Sequence, residues 1–182
     1  REAAFRAIKK ASELIDMSKQ KGEHPRIGAT DVCPLVPVSG ITLEETSQYA
    51  KQLGERVGEE LNIPVFLYEA SQPDENRNDL AVIRKGEYEG MFKKIKLPEW
   101  KPDYGPSENS VKSGVTVIGA RKFLIAYNIN LNSTSVSLAN LIACQVRESG
   151  YTIRNPNGDI KVKGSLKSVK AIGWYIKDYG FA

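Results

Sequence analysis

The sequence predicts an α/β protein. One capped amphipathic helix over residues 42–61 sits between two apolar, β-branched runs, and helical and strand-like patterns alternate along the rest of the chain. The composition is that of a globular chain of one ordinary domain or two small ones: 182 residues, 41% hydrophobic and 26% charged.

The elements follow in order. Ala4, Ile8, Ala11 and Ile15 recur at helical spacing and predict a helix over residues 2–17. It opens without an N-cap residue, and its first residue is not Met, so a processed, cut or fragmentary chain is expected. Residues 18–28 are polar, with two glycines and a proline, and form a loop. TDVCPLVPVSG (30–40) is β-branched and apolar, but Pro34 and Pro37 restrict it to an edge or irregular strand. Thr42 and Glu45 form a capping box; Leu43, Ala50, Leu53, Val57 and Leu61 then face one way, and Asn62 can end the helix. IPVFLYEA (63–70) reads as a buried strand and NDLAVIRKG (78–86) as a short helix. The stretch 97–114 is a long connection rich in Pro and Gly, of a length that is usually functional or disordered.

GVTVIGARKFLIAYNINL (114–131) is strand-like throughout, with Asn128 and Asn130 bringing two amides to one end that need partners, from a ligand or from neighbouring loops. Ser135–Ser149 predicts a helix with Gly150 as its stop. Residues 151–168 are turn-rich and basic, and 169–179 predict a final strand.

Several function classes are disfavoured. Two cysteines make no disulfide framework and suit a reducing, cytoplasmic compartment. A single histidine, His24, and two distant cysteines argue against a zinc centre, so no metal is expected. Neither common Gly-rich phosphate loop is present. No apolar run approaches the roughly 18 residues of a membrane span, and Arg1 and Glu2 do not open a secretory signal. The net charge of +4 favours anionic partners without choosing among them.

The chemistry-bearing residues cluster in GEHPRIGATDVCP (22–34). His24 lies in a loop before Pro25, between Glu23 and Arg26, where it could exchange protons near neutral pH or simply be a surface histidine. Asp31 could assist it or cap a turn, and Cys33 and Cys144 read as packed thiols. GPSENSVKSG (105–114) could wrap an anionic or hydrogen-bonding ligand with backbone N–H groups, or be a solvated linker.

Taken together, LIDMSKQKGEHPRIGATDVCPLVPVSG, NIPVFLYEA, RKGEYEG, EWKPDYGPS, GARKFLIAYNINL and VKAIGWYI resemble the formiminotransferase domain in order along essentially the whole chain. The resemblance implies transfer of a formimino group from N-formimino-L-glutamate to the 5-nitrogen of tetrahydrofolate, in histidine degradation and one-carbon metabolism. It implies that His24 is the catalytic acid–base group. It places the folate-binding segment at Gly105, Pro106, Ser107, Glu108, Asn109, Ser110, Val111, Lys112, Ser113 and Gly114, with GPS retained and the middle altered in composition. It implies two ferredoxin-like α/β sandwich subdomains, residues 1–120 lacking the first strand and residues 121–182 truncated, with a substrate tunnel between them. It also implies a cytoplasmic homodimer with tetrahydrofolate as co-substrate, no nucleic acid partner and no membrane association.

Three other readings compete. A related folate-dependent formimino- or formyltransferase could use another donor, such as formiminoglycine. The chain could be an inactive fragment. KDYGFA (177–182) superficially resembles an RNA-recognition motif, although its place at the chain end argues against that reading.

Overall fold

The computed structural model describes residues 1–22, 25–177, 180 and 182. Glu23 and His24, and Asp178, Tyr179 and Phe181 of KDYGFA, lie outside the described residues. The chain divides into two compact units, Arg1–Leu124 and Ile125–Ala182.

The first unit is α/β, as expected. Its order is α1 (Glu2–Leu14), a 3-10 turn (Met17–Lys19), β1 (Asp31–Leu35), α2 (Leu43–Leu61), β2 (Val65–Glu69), α3 (Leu80–Arg84), α4 (Glu87–Lys94), a 3-10 turn (Pro98–Trp100) and β3 (Thr116–Ala120). The three strands run parallel in the order β1-β3-β2. The central strand β3 is buried at every position, as parallel strands covered on both faces are. β1 takes the edge, which its proline requires: Pro34 has no N–H to give a second neighbour, and it is exposed.

Side chains alternate between two cores, one on each face of the sheet. On one face Val65 and Ile118 pack with Ala50, Leu53 and Val57 of α2 and Phe5 and Ile8 of α1. On the other, Phe66, Tyr68 and Val117 pack with Ile83 of α3, Met91 and Ile95 around α4, and Ile27. Helix α2 starts at the anticipated capping box. The Thr42 hydroxyl accepts from Glu45 N at 3.1 Å, and the Glu45 carboxylate accepts from Thr42 N at 2.8 Å. It stops at Asn62, which adopts the left-handed conformation that asparagine tolerates well (φ 54°).

The second unit contains α5 (Val136–Val146) and an antiparallel pair, β4 (Tyr151–Ile153) with β5 (Ile160–Val162). Helix α5 falls within the predicted span, and Gly150 beyond it has φ 61°. The hairpin was hidden in a stretch whose Asn155-Pro156-Asn157-Gly158 run reads only as turn.

Two strand expectations are corrected. The strand beginning at Thr116 ends at Ala120, and residues 121–131 carry no secondary structure, with Phe123, Ile125, Tyr127 and Ile129 exposed. The register gives the reason. Ala120 is paired with Leu35 and Glu69, the last residues of both neighbours, so beyond it a β-prone sequence has no ladder to join. Asn128 and Asn130 are accordingly exposed rather than buried amides. Residues 169–175 also form no strand. Their backbone is held to α5 instead: Gly173 N donates to Asn140 Oδ1 and Asn140 Nδ2 donates to Gly173 O, both at 3.1 Å.

Candidate functional site

The loop after α1 carries the histidine motif, and its described flanks are fixed by backbone bonds. Val115 N donates to Ile27 O at 3.0 Å and Ala29 N donates to Ser113 O at 2.8 Å, so the segment after Pro25 lies alongside the end of the 105–114 segment. The two chains touch closely at Gly28 and Gly114, where a Cβ on Gly28 would collide with the Val115 carbonyl. The start of the 105–114 segment is held the same way. Gly105 (φ 80°) lies against Gly58 of α2, where an added Cβ would stand 2.6 Å from Gly105 N. Glycines thus set both ends of the segment because backbone meets backbone there.

Within the segment, Ser110 Oγ accepts from Ser113 N and Ser113 Oγ, and Gly114 N donates to Ser110 O at 2.8 Å. Lys112, a candidate for anions, is exposed and also holds the segment to α1. Its ammonium donates to Glu13 O at 2.7 Å and so caps the C-terminus of α1, while Met17 N donates to Lys112 O. Ser107, Glu108 and Val111 are exposed. Asn109 Oδ1 is buried and has no hydrogen-bond partner among the described residues.

A third segment completes the arrangement, and the sequence reading assigned it no role. Gly86 (φ 93°) and Glu87 (φ 54°) both take left-handed backbone at the start of α4. Glu87 is the costly one, because a side chain there is strained. The turn directs Tyr88 N to Arg26 O at 2.8 Å. It also brings two carboxylates to Arg26, Glu87 at 2.9 Å and Glu89 at 2.7 Å, with Glu89 gripped by both guanidinium nitrogens. A fourth bond from Arg26 reaches Gln20 O at 3.0 Å. Bidentate pairs are the stronger ion pairs. The Glu89 contact, acting against burial, raises the Arg26 pKa, and Arg26 in turn holds the Glu89 carboxyl below its usual range. Lys21, Gly22, Arg26, Gly86, Glu87 and Glu89 line a polar cleft of about 410 Å³.

Of the two readings of Asp31, the turn contact is present, while any contact with His24 lies outside the described residues. The Asp31 side chain accepts from Ile27 N at 2.9 Å and pairs with Arg84, so it caps the turn between the histidine loop and β1. Cys33 is half-buried on the α2 side of the sheet, and burial pushes its thiol pKa up, as for a packed thiol. Among the described residues no group of three or more His, Cys, Asp or Glu side chains could hold a metal ion, and no helix is long and apolar enough to cross a membrane. His24 itself lies outside the described residues; the structure brings together the segment that carries it, the 105–114 segment and the turn at 86–89.

Comparison with known proteins places this sequence among relatives. The family profile described as "Formiminotransferase domain, N-terminal subdomain" matches residues 1–121, and "Formiminotransferase domain" matches residues 126–182. The chain is 50% identical over 181 residues to the formimidoyltransferase-cyclodeaminase of Mus musculus, covering 100% of this chain and 32% of that protein. It is 46% identical over 177 residues to the glutamate formimidoyltransferase of Streptococcus pyogenes serotype M1, covering 97% of this chain and 55% of that protein. Against the glutamate formimidoyltransferase of Thermoplasma acidophilum the identity is 44% over 179 residues, covering 97% of this chain and 54% of that protein. The chain therefore spans about a third to about half the length of these relatives.

Proposed function

Starting from the fact that the chain belongs to the formiminotransferase family, we propose that it carries the catalytic segment of a glutamate formimidoyltransferase, moving the formimino group of N-formimino-L-glutamate to the 5-nitrogen of tetrahydrofolate. The observation that carries this reading is the convergence of the GEHPR flank, the 105–114 segment and the 86–89 turn within one unit, in a chain whose relatives bear formimidoyltransferase names.

His24 is the acid–base group of the proposal. Transfer removes a proton from the accepting folate nitrogen and returns one to the glutamate nitrogen as it leaves, so no net proton is gained or lost at the histidine. Little oxyanion character develops, because the reacting carbon is bonded to nitrogens. Positioning therefore carries much of the rate, which suits a site assembled from three pinned segments. Folate supplies the accepting amine. Asn109 fits such a ligand, since its Oδ1 is an unused acceptor and a pterin offers N–H donors. Lys112 keeps its place in the folate segment: its exposed ammonium gives one donor to Glu13 O and has two more to offer an anionic ligand.

The boundaries at 1–120 and 121–182, the ferredoxin-like description of each subdomain, a homodimer and a cytoplasmic setting belong to the same proposal. They draw their support from the family match.

The test is His24→Ala. Formimino transfer should fall by about two to four orders of magnitude, the usual worth of a general acid–base, while tetrahydrofolate binding by calorimetry stays within about twofold. Near-full turnover in the folded variant would refute the assignment. Faster transfer from formiminoglycine than from N-formimino-L-glutamate would give the donor role to the alternative.

A further inference from the structure

The side chain of Tyr88, in the 86–89 turn, reaches the middle of the 105–114 segment. Its hydroxyl donates to Val111 O at 2.6 Å, and its own carbonyl accepts a long bond of 3.5 Å from Asn109 Nδ2. Its backbone N–H donates to Arg26 O, in the arm that follows His24 and Pro25. One residue therefore bonds to both segments of the proposed site. The ring is 6% exposed and sits edge-on against Phe92, with centroids 5.2 Å apart, so the hydroxyl is aimed by packing. Burial raises the phenol pKa, which keeps it a neutral donor. The residue before Tyr88, Glu87, holds a left-handed backbone (φ 54°), so the turn that presents Tyr88 is strained.

Resting on the reading of 105–114 as the folate segment, we infer that Tyr88 is a positioning residue: it latches the middle of that segment to the histidine-bearing arm and so sets the affinity for the folate co-substrate. Ser110 is bonded to Ser113 and Gly114, and Lys112 to Glu13 and Met17, whereas Val111, exposed at 61%, gives its carbonyl to Tyr88, the bond that ties the middle of the segment to the 86–89 turn. Loss of the latch loosens the segment around Asn109 and Val111, with the bonds at Ser110 and Lys112 left in place.

The test is Tyr88→Phe, which keeps the ring against Phe92 and deletes only the hydroxyl. Amide hydrogen exchange should quicken in peptides spanning 105–114 and stay unchanged in β2 and β3. The Kd and KM for tetrahydrofolate should rise about fivefold, the effect of one hydrogen bond. The kcat at saturating folate, the KM for N-formimino-L-glutamate and the pH profile should not move, a split that general destabilisation would not produce. Tyr88→Leu, which also removes the ring, should extend the exchange effect to the start of α4. Unchanged exchange at 105–114, or unchanged folate affinity in a wild-type protein that binds folate, overturns the role of Tyr88 while leaving the proposed function standing. Failure of the wild-type protein to bind tetrahydrofolate overturns the folate reading and the affinity role with it, and the exchange result then decides the latch by itself.

Discussion

At the scale of single residues, Arg26 shows how a charge can belong to architecture as well as to a site. Its side chain is 16% exposed and is flanked by Glu87 and Glu89. The Glu89 carboxyl titrates lower in the folded chain because Arg26 bonds to its charged form. The folded state then binds fewer protons than the unfolded one just below the ordinary glutamate range, so the contribution is present in full above that range and is lost as pH falls through the folded value. Glu89 is itself largely exposed, which keeps the effect small and salt-sensitive. The melting temperature of Glu89→Gln should lie below that of the wild type by a constant margin from pH 8 to about 5; the margin should begin to shrink near pH 4, where the unfolded glutamate takes up its proton, and close only as pH falls through the lower folded value. A margin that widens in acid would contradict this account. His24 was singled out by its motif as a lone histidine before proline, and its proposed role rests on the family resemblance. Tyr88 and Arg26 were not, because nothing in EYEG or HPR announces bonds to residues 20 or more positions away.

At the scale of elements, α2 does two things. It covers one face of the sheet with Ala50, Leu53 and Val57, and through Gly58 it gives the 105–114 segment its starting point. Alanine at Gly58 would gain about 1 kcal/mol in helix propensity. Against that, its Cβ would press on the Gly105 backbone at 2.6 Å, and overpacking of this kind costs about 1–3 kcal/mol. The obstacle is main chain and cannot rotate away, so the collision should win. Gly58→Ala should lose about 1 kcal/mol of stability by urea unfolding, and folate affinity should fall as Gly105 shifts. A stabilised variant would show that the contact yields. The helix itself was readable from its capping box and stripe, and the edge position of β1 from its prolines, since both follow from local stereochemistry. Helix α4 was not read, because Gly86 and Gly90 obscure its periodicity.

At the scale of the molecule, the chain passes from its first unit to its second through an exposed stretch without secondary structure. Residues 121–131 place Lys122 in the open, next to the end of β3. Limited trypsin digestion should therefore cut first after Lys122 and leave a resistant fragment of residues 1–122 by mass spectrometry, since exposed unpaired backbone is the preferred protease substrate. Earlier cleavage within α2 or β3 would mean that the sheet unit is less cooperative than its two cores imply.

The sequence by itself determined the α/β class, the capped helix, the edge strand and the candidate histidine. Each rests on periodicity, on residue stereochemistry or on a contiguous motif. The tertiary structure decided where β3 stops, because strand length depends on the last residues of its neighbours. It also decided that Lys112 caps α1 and that Asp31 serves a turn. The grouping of Arg26, Glu87, Glu89 and Tyr88 was its decision too. A polar side chain's partner is set by the fold around it, and no local pattern encodes that choice.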